Sequence, residues 1–227
     1  MKLKKNLTWG VIVSIALACF VLANRGTHDY SAVLLSGVGL VLILAYALHE
    51  WFWSRSSRRP IAKVIWLTGL SGAGKSTLAN LLVDAIRRRG LPVELLDGDQ
   101  VRSIFPNTGF SREDRIGHVK RVGFLASLLQ KNGVFVVASF ISPYRESRDF
   151  VRGLCSEFVE VYLSTPLEVC EKRDVKGLYQ KARAGEIQHF TGIDDPYETP
   201  EKPELVIDTS QFSESVALGK ILEYVRI

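Results

Sequence analysis

Residues 69–76 read Gly-Leu-Ser-Gly-Ala-Gly-Lys-Ser, and no other stretch restricts the fold of this 227-residue chain so tightly. The spacing fits G-x-x-x-x-G-K-[ST], a loop that cradles phosphates. Glycine tolerates positive φ, so successive backbone N–H groups can converge on phosphate oxygens. Lys75 offers a positive charge, Ser76 a hydroxyl for Mg²⁺, and the helix that follows aims its positive end at the anion. The flanks agree. Ile61 to Thr68 is an apolar run suited to a buried strand, and Thr77 to Arg89 places Leu78, Leu81, Leu82, Ala85 and Ile86 on one helical face.

The rest of the chain alternates in the same way. Strands are predicted at Leu91 to Leu96, Val134 to Phe140, Glu157 to Ser164 and Leu205 to Asp208. Helices are predicted at Arg112 to Gln130, Arg145 to Gly153, Pro166 to Asp174 and Ser213 to Tyr224. The class is therefore α/β: a P-loop NTPase-type parallel sheet with flanking helices. Ligands in such sheets bind at the carboxyl ends of the strands, where the P-loop, Asp97, Asp99 and Ser142 should meet.

Hydrophobic residues make up 47% of the chain and mean hydropathy is +0.11, with the excess in the first fifty residues. Leu7 to Ala23 and Tyr30 to Leu48 are uncharged runs near the lower length limit for a bilayer span. Lysines precede the first run and arginines follow the second, so the positive-inside rule places both ends in the cytoplasm. The expectation is a two-helix transmembrane hairpin over residues 1–53, a basic linker at 54–60 and a globular domain over 61–227. The protein would then be a multi-pass inner (cytoplasmic) membrane protein with its catalytic domain in the cytoplasm. A signal peptide and a pair of buried core helices are the alternatives; the charge flanks and the second run argue against them.

Cys19, Cys155 and Cys170 give neither a disulfide framework nor metal-ligand spacing. The net charge of +5 lies largely beside the apolar runs and suits an anionic substrate, not nucleic acid.

Asp97 and Asp99 follow a strand with Gly98 between them. Alternate residues of a strand project to one side, so one carboxylate could hold Mg²⁺ and the other accept a proton from an attacking hydroxyl. Ser142 follows the central strand, with Pro143 stiffening the exit. Lys172, Arg173, Lys176, Lys181 and Arg183 surround a Gly-Leu-Tyr step, a composition suited to a lid that closes over phosphates. Phe190 opens a loop, Phe190 to Tyr197, whose aromatic could stack on a base.

Taken together, the segments GLSGAGKST, LLDGDQVR, GFSREDR, SFISPYRESR, TPLEVCEKRDVKGLYQKARAGEI, HFTGIDDPYE and PELVIDT closely resemble the adenylylsulfate kinase (APS kinase) family, in the family's order. The resemblance implies ATP- and Mg²⁺-dependent phosphorylation of the ribose 3′-hydroxyl of adenosine 5′-phosphosulfate (APS), giving PAPS and ADP. It implies that Gly69, Leu70, Ser71, Gly72, Ala73, Gly74, Lys75, Ser76 and Thr77 hold the ATP phosphates, with Ser76 and Asp97 at the metal. Lys75, Asp99 and Ser142 match catalytic positions. Asp97, Asp99, Arg102, Arg115, Ile141, Ser142, Lys176 and Lys181 match acceptor-side positions, and Phe110 and Phe190 match two rings that sandwich the APS adenine. A homodimer is also implied.

There are departures. His118 stands where the family has an asparagine expected to touch APS, and Lys120 where it has an arginine. The alternatives are a related kinase with another nucleotide-activated acceptor and a non-catalytic membrane nucleotide-binding module.

Overall fold

The computed structural model describes residues 45–49, 60–105 and 109–227. The chain divides into two units, Met1–Arg59 and Pro60–Ile227. Of the first, only a helical stretch at 45–49 is described, and the expected hairpin otherwise lies outside the described residues.

The second unit carries β1 (Val64–Gly69), α1 (Lys75–Arg88), β2 (Val93–Asp97), α2 (Gly98–Ile104), α3 (Arg112–Lys131) and β3 (Phe135–Ser139). It continues through α4 (Arg145–Leu154), β4 (Phe158–Leu163), α5 (Leu167–Arg173), α6 (Leu178–Arg183), β5 (Leu205–Ile207) and α7 (Glu214–Val225). The five strands run parallel in the order β2-β3-β1-β4-β5. β1 is central, and all six of its residues are buried.

Both faces of the sheet are covered, which explains the unbroken apolar runs of its inner strands. Strand alternation sends Ile65 and Leu67 to one side, against Leu78, Leu82 and Ile86 of α1 and Ile221 and Val225 of α7. Val64 and Trp66 go to the other, against Val119, Val122 and Ala126 of α3 and Val151 of α4. α3 and α4 approach so closely that a Cβ on Gly123 would lie 2.3 Å from Val151 Cγ2. α3 starts at a capping box: the Ser111 hydroxyl accepts from the Asp114 N–H at 3.1 Å, and the Asp114 carboxylate accepts from the Ser111 N–H at 3.3 Å.

Pairing aligns the strand ends. Gly69 of β1 sits beside Leu163 of β4, and Asp97 of β2 beside Ser139 of β3. The loops leaving β1, β2 and β3 therefore emerge from one edge of the sheet.

Two expectations change. Gly98 opens helix α2, so strand alternation stops at Asp97 and does not place Asp99. The multi-pass inner-membrane localisation is also corrected: among the described residues no helix is long and apolar enough to cross a membrane. Hydropathy reports how apolar a run is and flanking charge only which way a span would face, and two runs near the lower length limit are a weak basis for a span.

Candidate active site

The P-loop has the shape its glycines permit. Gly69, Gly72 and Gly74 have φ values of 149°, 76° and 90°. At Gly72 even a methyl group would sit 2.8 Å from the Cys170 carbonyl oxygen, so the turn needs glycine for space as well as for φ. α1 begins at Lys75 without a side-chain cap, which leaves its first N–H groups open to an anion. Lys75 Nζ donates to the Leu70 carbonyl at 2.7 Å. Burial pulls its pKa down to about 8, with Lys176 adding to the fall and Asp99 and Asp97 opposing it.

Asp97 ends β2 and works in two directions. One carboxylate oxygen caps α2, accepting the Asp99 and Gln100 N–H groups at 3.0 and 3.5 Å. The other lies 3.4 Å from the Ser76 hydroxyl. A hydroxyl and a carboxylate oxygen at that separation fit a shared Mg²⁺, an ion that takes one or two protein ligands and completes its shell with phosphate and water. Among the described residues no group of three or more His, Cys, Asp or Glu could hold a metal by itself. Asp99, in the first turn of α2, is exposed and ion-paired with Lys176.

The basic segment is a short helix on a tethered base. Tyr179 donates its hydroxyl to the Ser71 carbonyl at 3.0 Å, and Asp174 accepts the Tyr179 and Gln180 N–H groups, each at 3.0 Å. Arg173 reaches Gly72 O at 3.1 Å and Thr209 Oγ1 at 2.8 Å, bracing the outside of the P-loop. Lys181 lies on the exposed side of α6. The sequence reading places Arg173 and Tyr179 in the basic segment but not their ties to the P-loop, and it does not single out Thr209, which PELVIDT contains. Nothing in a motif says which of its members touches the loop.

Arg115 is the hub on the opposite side. Its Nε donates to Phe110 O at 2.9 Å, its other nitrogens reach the Thr191 hydroxyl and the His189 carbonyl, and Asp195 stands 3.8 Å away. Tyr144 donates its hydroxyl to Asp195 at 2.9 Å. The Arg102 guanidinium lies 4.5 Å from the centre of the Phe110 ring, and Arg102 donates to Gly109 O at 2.7 Å. The structure thus brings Arg102, Phe110 and Arg115 together with the 189–195 loop.

Three expected site residues sit differently from their sequence reading. Phe110 is 59% exposed and open to a stacking base, but Phe190 is only 8% exposed and packs edge-on against Tyr179 at 5.0 Å. Its loop is held by Asp194, which accepts the His189 and Phe190 N–H groups at 2.7 and 2.6 Å. Ser142 is 3% exposed, accepts from Trp66 Nε1 at 3.1 Å and donates to Thr68 Oγ1 at 2.9 Å. That hydroxyl is committed to the core and is not free to attack a phosphate. Ile141, next to it, is partly buried and gives its carbonyl to Thr68 at 2.8 Å. His118 is 2% exposed, lies 5.9 Å from the Phe140 ring, and has no hydrogen-bond partner at either ring nitrogen. Burial, then the charges of Arg102 and Arg121, lower its pKa to about 4, so it is neutral.

A glycine-rich loop feeding a helix, a buried lysine at its end, a nearby serine–aspartate pair and a basic helix tied to the loop are the features of an ATP-dependent P-loop kinase. The chain belongs to the adenylylsulphate kinase family, which matches residues 61–208. It is 55% identical over 159 residues to an adenylyl-sulfate kinase of Gloeothece citriformis, covering 70% of this chain and 90% of that one. It is 54% identical over 164 residues to that of Shewanella amazonensis, covering 71% and 83%. Among solved structures it is similar to the Mycobacterium tuberculosis APS kinase in complex with AMPPNP and APS, with a TM-score of 0.71 and 40% identity over 74% of this chain and 100% of that one. A hexameric APS kinase from Thiobacillus denitrificans matches at a TM-score of 0.56 and 34% identity, over 74% of this chain and 29% of that one.

Proposed function

We propose that this kinase transfers the γ-phosphoryl group of ATP to the 3′-hydroxyl of APS, giving PAPS and ADP. The observation that carries the reading is Asp99. It is an exposed carboxylate two residues beyond Asp97, held by Lys176 of the basic segment. The family membership supplies the acceptor.

ATP binds with its phosphates on residues Gly69 to Thr77 and against Lys75. Ser76 and Asp97 would hold Mg²⁺, which would supply positive charge at the phosphates. Asp99 orients the acceptor hydroxyl and accepts its proton. Lys176 leaves Asp99 for the transferring phosphoryl oxygens, so one movement frees the base and delivers positive charge. Lys181 follows it on α6. Phe110 stacks on the adenine, Phe190 offers its edge, and Arg102 and Arg115 bind the acceptor's anionic groups. In-line transfer needs no covalent serine, and Ser142 shapes the loop it stands in.

One observation favours a second reading. A buried histidine with two unpartnered nitrogens, where the family has an asparagine, suits an acceptor whose donors and acceptors differ from those of APS. ADP release measured across APS, AMP and other nucleotide acceptors separates the two readings. A strong preference for APS supports the first, and preference for another nucleotide replaces it with the second.

The homodimer is part of the same proposal, supported by self-assembly of the hexameric relative. A solution mass of twice 25.3 kDa by light scattering supports it, and the monomer mass removes it.

A further inference from the structure

Arg148 of α4 has no part in the chemistry above, yet its buried guanidinium joins the two segments that frame the acceptor. It is 2% exposed. One terminal nitrogen donates to Ser142 O at 2.6 Å and the other to Glu198 O at 2.5 Å. Its Nε lies 2.8 Å from a carboxylate oxygen of Glu160 on β4. Glu160 also meets Arg152 at 3.1 Å, and Arg152 forks onto both oxygens of Glu204 at 2.5 and 2.9 Å. Glu204 closes the chain by accepting the Glu160 N–H at 2.7 Å.

Buried ion pairs of this kind often contribute little net stability compared with packed apolar groups. What the fork does here is geometric. A planar guanidinium fixes two carbonyls at a set separation, which a point-charge lysine cannot do. The first carbonyl belongs to Ser142, a non-glycine residue at φ 39°. Such a conformation is strained and lasts only where its surroundings enforce it. The second belongs to Glu198, just after Tyr197, whose hydroxyl meets Thr68 at 2.9 Å. Thr68 also meets the Ser142 hydroxyl, so side chains and main chain tie the same two segments together. The arms of Arg148 therefore join the loop bearing Ile141 and Ser142 to Glu198, three residues beyond the loop that runs from Phe190 through Asp195.

We propose that Arg148 is a positioning residue for acceptor binding: it sets the separation between these two loops and touches neither substrate. This rests on the reading of the site as an APS 3′-kinase. ATP sits on a P-loop that Arg148 does not contact, so the effect should fall on one substrate only.

The test uses the full chain with Arg148→Met, Arg148→Lys and Glu160→Gln, measuring kcat and both KM values beside thermal unfolding. For Arg148→Met the expected result is a KM for APS raised about tenfold or more with KM for ATP changed less than about twofold. Arg148→Lys, which keeps the charge and loses the fork, should recover only part of that loss. Glu160→Gln should shift KM for APS in the same direction by less, and it decides the matter if Arg148→Met does not fold. Equal changes in both KM values, or an unchanged KM for APS in the folded variants, would overturn the inference while leaving the activity intact. A wild-type chain that makes no product from APS overturns both readings.

Discussion

Lys75 shows how one buried group links the P-loop to pH. Its ammonium loses hydration on burial, and its pKa falls to about 8 in the unliganded protein. In the proposed mechanism ATP binds the cation. At pH 7 most molecules are ready, and above about pH 8 the free enzyme gives up the charge that ATP requires. Affinity for AMPPNP should therefore weaken as pH rises past 8, approaching about tenfold per unit. Calorimetry from pH 6.5 to 9.5 would show it, and a Lys75→Met variant should bind weakly with that slope removed; an unchanged slope in the variant contradicts the assignment. His118 makes the opposite kind of prediction, about stability. Arg102, Arg121 and the rings of Phe105 and Phe140 face it. Its folded pKa of about 4 lies below the ordinary value of 6.5, so the unfolded chain binds the proton more readily. Its contribution is intact above about pH 6.5 and is lost as pH falls toward 4, on the order of 3 kcal/mol in total. Urea unfolding of His118→Leu should show a flatter decline over that window, and an equally steep decline would contradict the role. Neither Ser142 nor Phe190 revealed its burial in the sequence. A serine after a strand and a phenylalanine in a polar loop look alike whether they face water or the core.

At the scale of elements, α3 does much of the positioning. It carries Arg115 and His118, starts at the Ser111–Asp114 box and lies tight on α4 at Gly123. Gly123→Ala should cost about 1–3 kcal/mol, because its Cβ would meet Val151 and one helix must move. The expected readout is a lower thermal midpoint with a weakened affinity for APS, and an unchanged midpoint would contradict the packing. The long elements were legible because apolar spacing or unbroken apolar runs mark them: Arg112 to Gln130 against the observed Arg112–Lys131, and Val134 to Phe140 against Phe135–Ser139. The seven-residue α2 and six-residue α6 were not. Helices that short show barely two turns of periodicity. Asp97 caps α2 by side-chain chemistry that reads equally well as a strand end or a turn.

For the whole molecule, alternation of strand and helix was enough to predict a parallel sheet with ligands at its carboxyl edge. The strand order β2-β3-β1-β4-β5 was not, because apolar runs do not name their neighbours. The loop geometry was legible where glycine and charge spacing are diagnostic, at residues 69–76, while the acceptor-side assignments rest on resemblance alone. Its internal ties, from Tyr179 to Ser71 and from Arg148 to Ser142 and Glu198, join residues far apart in sequence, and only the fold reveals them. The central claim is phosphoryl transfer to the 3′-hydroxyl of APS with Asp99 facing that hydroxyl. Its most direct test incubates the full chain, and its Asp99→Ala variant, with ATP, Mg²⁺ and APS and identifies the nucleotide products by mass and phosphate position. The account predicts equal amounts of ADP and 3′-phosphorylated APS from the wild type, and at least about a 10²-fold loss of rate in the variant. ADP without a 3′-phosphorylated product, or near-normal turnover in Asp99→Ala, would contradict it.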